Sequence, residues 1–291
     1  MKSIEESFEA LASEMAQPPS ASKSAVRREA SPAPEPVRED ADSARQQDEP
    51  GPEPEPEHPE ETPAQAEPED VREGPINPRL VCLLQPRSAD AEDYYRLRYK
   101  IETRRRSDAA LVVGVTSASE GEGKTLTAIN LAGALAKDTG TQVLLLDLDL
   151  RHRPAGGVSE YLGMRAQDGE GAVDWIRETE YGYEQFVHYL HPYNLHVMTA
   201  GSEPELPYEL LKSTRLDQLI RRARRDYDFV VIDTPQILRL PDTELIARVV
   251  DGFVVVVKAN VTKQERLEEA LNLMRPDKVF GMVFNADTEK R

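Results

Sequence analysis

Short runs of consecutive apolar, β-branched residues recur along the later part of this chain. Each is followed by a polar or glycine-containing turn. Residues 111–116, 142–146, 195–199, 229–232, 253–257 and 279–284 read as strands buried on both faces. Between them, apolar residues fall at helical spacing over 88–106, 125–136, 208–225, 242–250 and 263–274, with a break expected near Ser213. Residues 155–190 carry no clean period. Strands alternating with helices imply right-handed βαβ units. The expected fold class is therefore α/β, a mostly parallel sheet with helices on both faces. No internal repeat is visible.

The first 78 residues differ in kind. They hold 7 Lys/Arg against 20 Asp/Glu, a net charge of −13, and 14 of the 22 prolines. With few large apolar groups, such a stretch cannot offset its chain entropy by burial, so residues 1–78 are expected to form a disordered Pro/Glu-rich arm. At its tip, Ile4, Phe8, Leu11 and Met15 share a helical face, and Ser3 with Glu6 fits a capping box. A short amphipathic helix over 3–16, suited to a protein groove, is expected there. Residues 79–288 form the expected folded domain.

The whole chain of 291 residues carries a formal charge of −17, so about −4 lies outside the arm. That acidity argues against nucleic acid as a partner, because phosphate backbones need a basic surface. The runs Arg104-Arg105-Arg106 and Arg221-Arg222-Ala223-Arg224-Arg225 are local exceptions and read as solvated faces. Cys82, the single cysteine, excludes an intrachain disulfide and a multi-cysteine metal site, and reads as a small buried hydrophobe. No apolar run approaches the roughly 20 residues a membrane helix needs, and the amino terminus lacks a signal-peptide core. His188 and His191, spaced to pair on a helix, have no nearby carboxylate or cysteine that completes a metal set and read as surface residues. Trp175 and Phe186 read as core.

Three segments carry chemistry, each at the end of a predicted strand, where open α/β sheets bind ligands. The first is Ala118-Ser119-Glu120-Gly121-Glu122-Gly123-Lys124-Thr125, continued by Leu126. Its glycines let the backbone wrap around phosphates, and the following helix presents its N–H groups to them. Lys124 is placed for the β/γ-phosphates and Thr125 for Mg²⁺. Ala118 stands where the phosphate-loop pattern has its first glycine. The second segment, Leu146-Asp147-Leu148-Asp149-Leu150-Arg151, brings two carboxylates to a strand end, one to organise Mg²⁺ and one to handle a proton, or else leaves Asp147 as a helix or turn cap. In the third, Phe229-Val230-Val231-Ile232-Asp233-Thr234-Pro235, Asp233 is placed to hold a Mg²⁺-bound water. In this order the three read as one ATP–Mg²⁺ site.

Over residues 88–285 the chain resembles the bacterial tyrosine kinases, the capsule and exopolysaccharide autokinases built on a P-loop fold. The resemblance rests on Val115-Thr116-Ser117-Ala118 leading into Gly121-Glu122-Gly123-Lys124-Thr125, on Asn130-Leu131-Ala132, on the Asp147-Leu148-Asp149-Leu150-Arg151 block followed by Arg153-Pro154, and on Asp233-Thr234-Pro235 and Val250-Asp251-Gly252. It implies ATP-dependent phosphorylation of tyrosine in a protein substrate. Lys124 and Thr125 would bind phosphate and Mg²⁺, Asp147 would be the base, and Asp149 and Asp233 would order Mg²⁺ and its waters. It also implies a homo-oligomer, and a cytoplasmic protein recruited to the inner face of the plasma membrane by a separate membrane-embedded polysaccharide co-polymerase that activates it.

The chain departs from that family in three places. Tyr95 replaces the first arginine of the helix motif Glu-x-x-Arg-x-x-Arg, read here as Glu92 to Arg98, which weakens the expectation of a ring. Gln236 stands where a second proline is frequent. The family's carboxyl-terminal tyrosine cluster is absent, the last tyrosine being Tyr227. Another target, or Tyr94, Tyr95 or Tyr99, would then take the phosphate. Two alternatives remain at this point: a positioning ATPase of the partition or division-site type, whose additional loop lysine is Ser119 here, and an ATP-binding regulator without kinase activity.

Overall fold

The computed structural model describes residues 74–106, 109–151, 157–164, 170–177, 182–238 and 241–286. The expected arm and its 3–16 helix lie outside these residues, apart from the arm's last five, as does the Arg153-Pro154 pair. The described chain already packs from Gly74. Its N–H donates to Gly163 O at 3.0 Å, that of Asn77 to Tyr161 O at 2.8 Å, and Ile76 packs on the core.

Among the described residues, seven strands form one sheet in the order β3-β4-β2-β5-β1-β6-β7. They are β1 (Leu111–Ser117), β2 (Val143–Asp147), β3 (His188–Leu190), β4 (Leu195–Met198), β5 (Phe229–Asp233), β6 (Gly252–Lys258) and β7 (Val279–Asn285). All neighbours pair in parallel except β3, which runs antiparallel to β4 at the edge. The predicted strands recur within one or two residues. The edge strand β3 was not expected, and it places His188 on a strand, with His191 in the turn beyond, so the two do not share a helix.

Side chains alternate across the sheet because successive strand residues point to opposite faces. Val113, Val115, Leu145, Val231, Val254 and Val256 join one apolar cluster. Val112, Leu144, Leu146, Val230, Ile232 and Phe253 join the other. The first is covered by α1 (Val81–Leu84), α2 (Ala89–Glu102), α3 (Lys124–Leu135) and α4 (Val158–Leu162). The second is covered by α5 (Ala172–Arg177), α6 (Pro207–Lys212), α7 (Thr214–Asp226) and α8 (Asp242–Ile246). A further helix, α9 (Gln264–Asn272), packs Leu267 with Val255 and Val257. The break at Ser213 is real: its side chain accepts from Arg215 N and caps α7, which buries Leu216, Leu219, Ile220 and Ala223 at helical spacing.

Helix α3 is buried almost all round, between the sheet and the preceding segment. Asn130 locks that segment down. Its Oδ1 accepts from Cys82 N at 3.0 Å, and its Nδ2 donates to Arg79 O at 3.1 Å. Cys82, Trp175 and Phe186 are core residues, as expected. The arginine runs are not only solvated. Arg224 forks onto Asp251 at 2.9 Å, and Arg105 pairs with Asp228 at 2.7 Å, so both tie strand starts together at the sheet's amino edge. No helix among the described residues is long and apolar enough to cross a membrane.

Candidate active site

The site forms where β1, β2 and β5 end side by side. In the β2–β5 register, Asp147 stands opposite Asp233, and Val115 of β1 is Asp233's partner on its other side. The chain leaves β1 at Ser117 and enters α3 at Lys124. Gly121 and Gly123 hold this connection with φ of 74° and 97°, conformations that side chains rarely adopt. At Gly123 a Cβ would also collide with the Asn285 carboxamide. Gly123 caps α3 without a side chain, so the first N–H groups of the helix are open to an anion. Ala118 is tolerated where a glycine is usual because its methyl enters a small apolar cluster with Ile237 and Ala270.

The loop is braced from outside. Glu122 is buried, and its Oε2 accepts from Ser119 N at 3.2 Å while its Oε1 accepts from Thr262 Oγ1 at 2.6 Å. Thr262 accepts in turn from Lys258 N at 3.0 Å. Asn285 Nδ2 donates to Glu122 O at 2.9 Å. Beside this brace lies a cavity of about 440 Å³ lined by Ser119, Glu120, Gly121 and Glu122 and by Lys258, Lys263 and Arg266. Neither Thr262 nor Asn285 was singled out from the sequence. Each acts over about 140 residues or more, and nothing local to either marks it.

Lys124, Thr125 and the three aspartates expected in the site converge, whereas Glu120 and Glu122 lie at the cavity beside the loop. The Lys124 ammonium lies 3.6 Å from Asp149 Oδ2, both groups buried. Thr125 Oγ1 donates to Asp233 Oδ2 at 2.6 Å. Asp233 is fully buried, and its Oδ1 has no hydrogen-bond partner among the described residues. Burial, and then the Asp147 charge beside it, push the Asp233 carboxyl well above the usual carboxylate range, against the pull of Lys124. Asp147 also does local work. Its Oδ1 accepts from Asp149 N at 3.1 Å, and its Oδ2 accepts from Val158 N at 3.2 Å, at the start of α4. The capping geometry anticipated for it is thus present. Leu126, at the end of the motif, turns its side chain to the core rather than to the loop.

Arg151 closes the second segment by reaching Asp242 at the start of α8, with Nη2 donating to Oδ1 at 3.0 Å. Asp242 is 1% exposed and was not foreseen as a partner. No cluster of His, Cys, Asp or Glu among the described residues has the geometry of a metal site made by protein side chains alone.

Residues 111–275 match the family model described as an AAA domain. Over 208 residues the chain is 32% identical to the tyrosine-protein kinase YwqD of Bacillus subtilis, a match covering 71% of this chain and 85% of that one. It is 30% identical over 190 residues to the tyrosine-protein kinase CpsD of Streptococcus agalactiae, covering 61% of this chain and 75% of the relative. Among solved structures, the BceF tyrosine kinase domain superposes with a TM-score of 0.59 at 26% identity, over 70% of this chain and 81% of that one.

Proposed function

The chain belongs to the bacterial tyrosine-protein kinase family, and from that premise we propose that it is an ATP-dependent protein-tyrosine kinase serving capsule or exopolysaccharide production. The observation that carries this reading is the meeting of Lys124, Thr125, Asp147, Asp149 and Asp233 at the open N-terminus of α3. The N–H groups of that turn and the Lys124 ammonium bind and orient the triphosphate. The loop from Ala118 through Gly123 shapes the cradle. Asp147 takes the phenolic proton of the acceptor as the oxygen attacks the γ-phosphorus. The bond from that phosphorus to the bridging oxygen breaks, and ADP leaves.

Thr125, Asp149 and Asp233 fit a divalent cation such as Mg²⁺. Asp233 Oδ1 is buried without a hydrogen-bond partner among the described residues, beside two further carboxylates, and that excess of negative charge suits a cation. When bound, the ion neutralises charge on the phosphates. The protein acts at the inner face of the plasma membrane as a homo-oligomer. It is recruited and activated there by a separate membrane-embedded polysaccharide co-polymerase.

A second reading has one observation in its favour. Both oxygens of Asp147 already accept backbone N–H groups, which suits an ATP-binding regulator that transfers no phosphate. Full-length protein co-expressed with its neighbouring polysaccharide-export membrane protein, then supplied with ATP, MgCl₂ and a glutamate–tyrosine copolymer, separates the two. Phosphotyrosine that vanishes in Lys124→Met supports the kinase. ATP binding with no phosphotyrosine overturns it in favour of the regulator.

A further inference from the structure

Access and distance decide which tyrosine of its own chain such a kinase can modify. The sequence has ten tyrosines, none before Tyr94 and none after Tyr227. On α2, Tyr94 is largely buried, and burial pushes its phenol up to about 12. Tyr95 donates its hydroxyl to Pro86 O at 2.9 Å. Tyr183 is in the core, and Tyr227 packs edge-on against His196. Two tyrosines stand out among the described residues. Tyr208 is 38% exposed, with the Lys212 ammonium over its ring, whereas Tyr99 is 69% exposed.

Tyr99 lies at the wrong end of its own molecule to be phosphorylated there. Arg98, its neighbour, donates Nη1 to Ala134 O at 2.9 Å, near the carboxyl end of α3. Lys124 opens that helix. Ten residues at about 1.5 Å each put roughly 15 Å of rigid helix between them. The chain beyond Tyr99 continues along the sheet's amino edge, where Arg105 holds Asp228 just before β5. The catalytic carboxylates are at the opposite, carboxyl edge.

We propose that Tyr99 is a phosphate acceptor, modified in trans by the site of a second copy of this chain. The inference rests on the kinase reading above. The Tyr99 oxygen bonds to the γ-phosphorus of ATP held by the other copy, the bond from phosphorus to the bridging oxygen breaks, ADP leaves, and the phenolic proton passes to that copy's Asp147. Charge favours the approach. Tyr99 sits among Arg96, Lys100 and Arg104 on a basic stretch, and the site it would enter is lined by three aspartates. Arg96, at i−3 on the same helix face, now holds Asp93 at 2.8 Å and would be placed to pair with the new phosphate.

The test mixes full-length donor carrying Tyr99→Phe with full-length acceptor carrying Lys124→Ala, in ATP and MgCl₂, with the neighbouring polysaccharide-export membrane protein present as activator and a glutamate–tyrosine copolymer as an independent acceptor. Phosphotyrosine is mapped by mass spectrometry. The expected result is phosphate on Tyr99 of the acceptor, forming faster with more donor and lost when the acceptor also carries Tyr99→Phe. A phosphorylated copolymer with an unmodified Tyr99 overturns this inference and leaves the kinase reading standing. No phosphotyrosine on either overturns both.

Discussion

Thr125 and Asp233 meet at 2.6 Å although 108 residues separate them. The hydroxyl donates to one carboxylate oxygen and leaves the other, deep in the protein, without a hydrogen-bond partner among the described residues. The parallel register of β2 and β5 sets Asp147 directly across from that carboxylate. Helix start, strand end and neighbouring strand thus concentrate negative charge at one point. A carboxylate so placed weakens the unliganded fold, and this cost fits a binding site for a cation.

Asp233→Asn should therefore stabilise the unliganded protein while damaging turnover. The folded-state pKa of Asp233 is raised, so between the ordinary carboxylate pKa and that raised value the folded protein holds a proton the unfolded chain has lost. Stability is lost as pH rises through this window, and each unit of displacement removes about 1.4 kcal/mol. The asparagine variant avoids the loss. Its melting temperature without ligand should exceed wild type at pH 7.5, and the difference should vanish near pH 4. Equal melting at both pH values would refute the charge-crowding account.

Lys124→Ala should weaken ATP binding strongly. A charge-assisted phosphate contact contributes roughly 1.5–3 kcal/mol, or about 10- to 150-fold in Kd. The same change removes the ammonium that faces Asp149 at 3.6 Å, so the carboxylates would repel the triphosphate more. Calorimetric titration with Mg-ATP measures this directly. An unaltered Kd would sink the site assignment.

Asp147→Asn tests the two roles of that residue separately. The amide keeps one acceptor oxygen, so one of the N–H bonds from Asp149 or Val158 is lost, at about 1 kcal/mol, while removing the charge beside Asp233 offsets part of that loss, and the melting temperature should change little. Turnover should fall far more, on the order of 10²- to 10⁴-fold, if Asp147 is the base. Full turnover in this variant would leave Asp147 the capping role alone.

The sheet was legible because β1, β2, β5 and β6 are buried on both faces and read as unbroken apolar runs bounded by turns. The phosphate loop and the aspartates were legible for a related reason: each directly follows such a run. The region from 155 to 190 was not. Helices α4 and α5 are five and six residues long, too short for a helical period to show, and β3 has three residues paired on one side only. The partners of the candidate site residues were equally hidden. Arg151 was visible in its motif, but Asp242 lies 91 residues away and looks like any acidic residue opening a helix. Contacts that close over such distances leave no periodic trace.

Thr262 offers the sharpest test of how the phosphate loop keeps its shape. Its hydroxyl donates to Glu122 and accepts from Lys258 N, so it joins the loop to the turn after β6. Thr262→Val keeps the side-chain volume and removes both bonds. The Glu122 carboxylate loses one of its donors, and the loop that it braces through Ser119 N gains freedom to be repaid on binding ATP. A loss of about 1 kcal/mol corresponds to a roughly fivefold rise in KM for ATP. Once ATP is bound, the phosphates themselves order the loop, so kcat should stay near wild type. Thr262→Ser restores the hydroxyl and should restore KM. A valine variant with wild-type KM, or a serine variant no better than valine, would show that the brace does not shape the site.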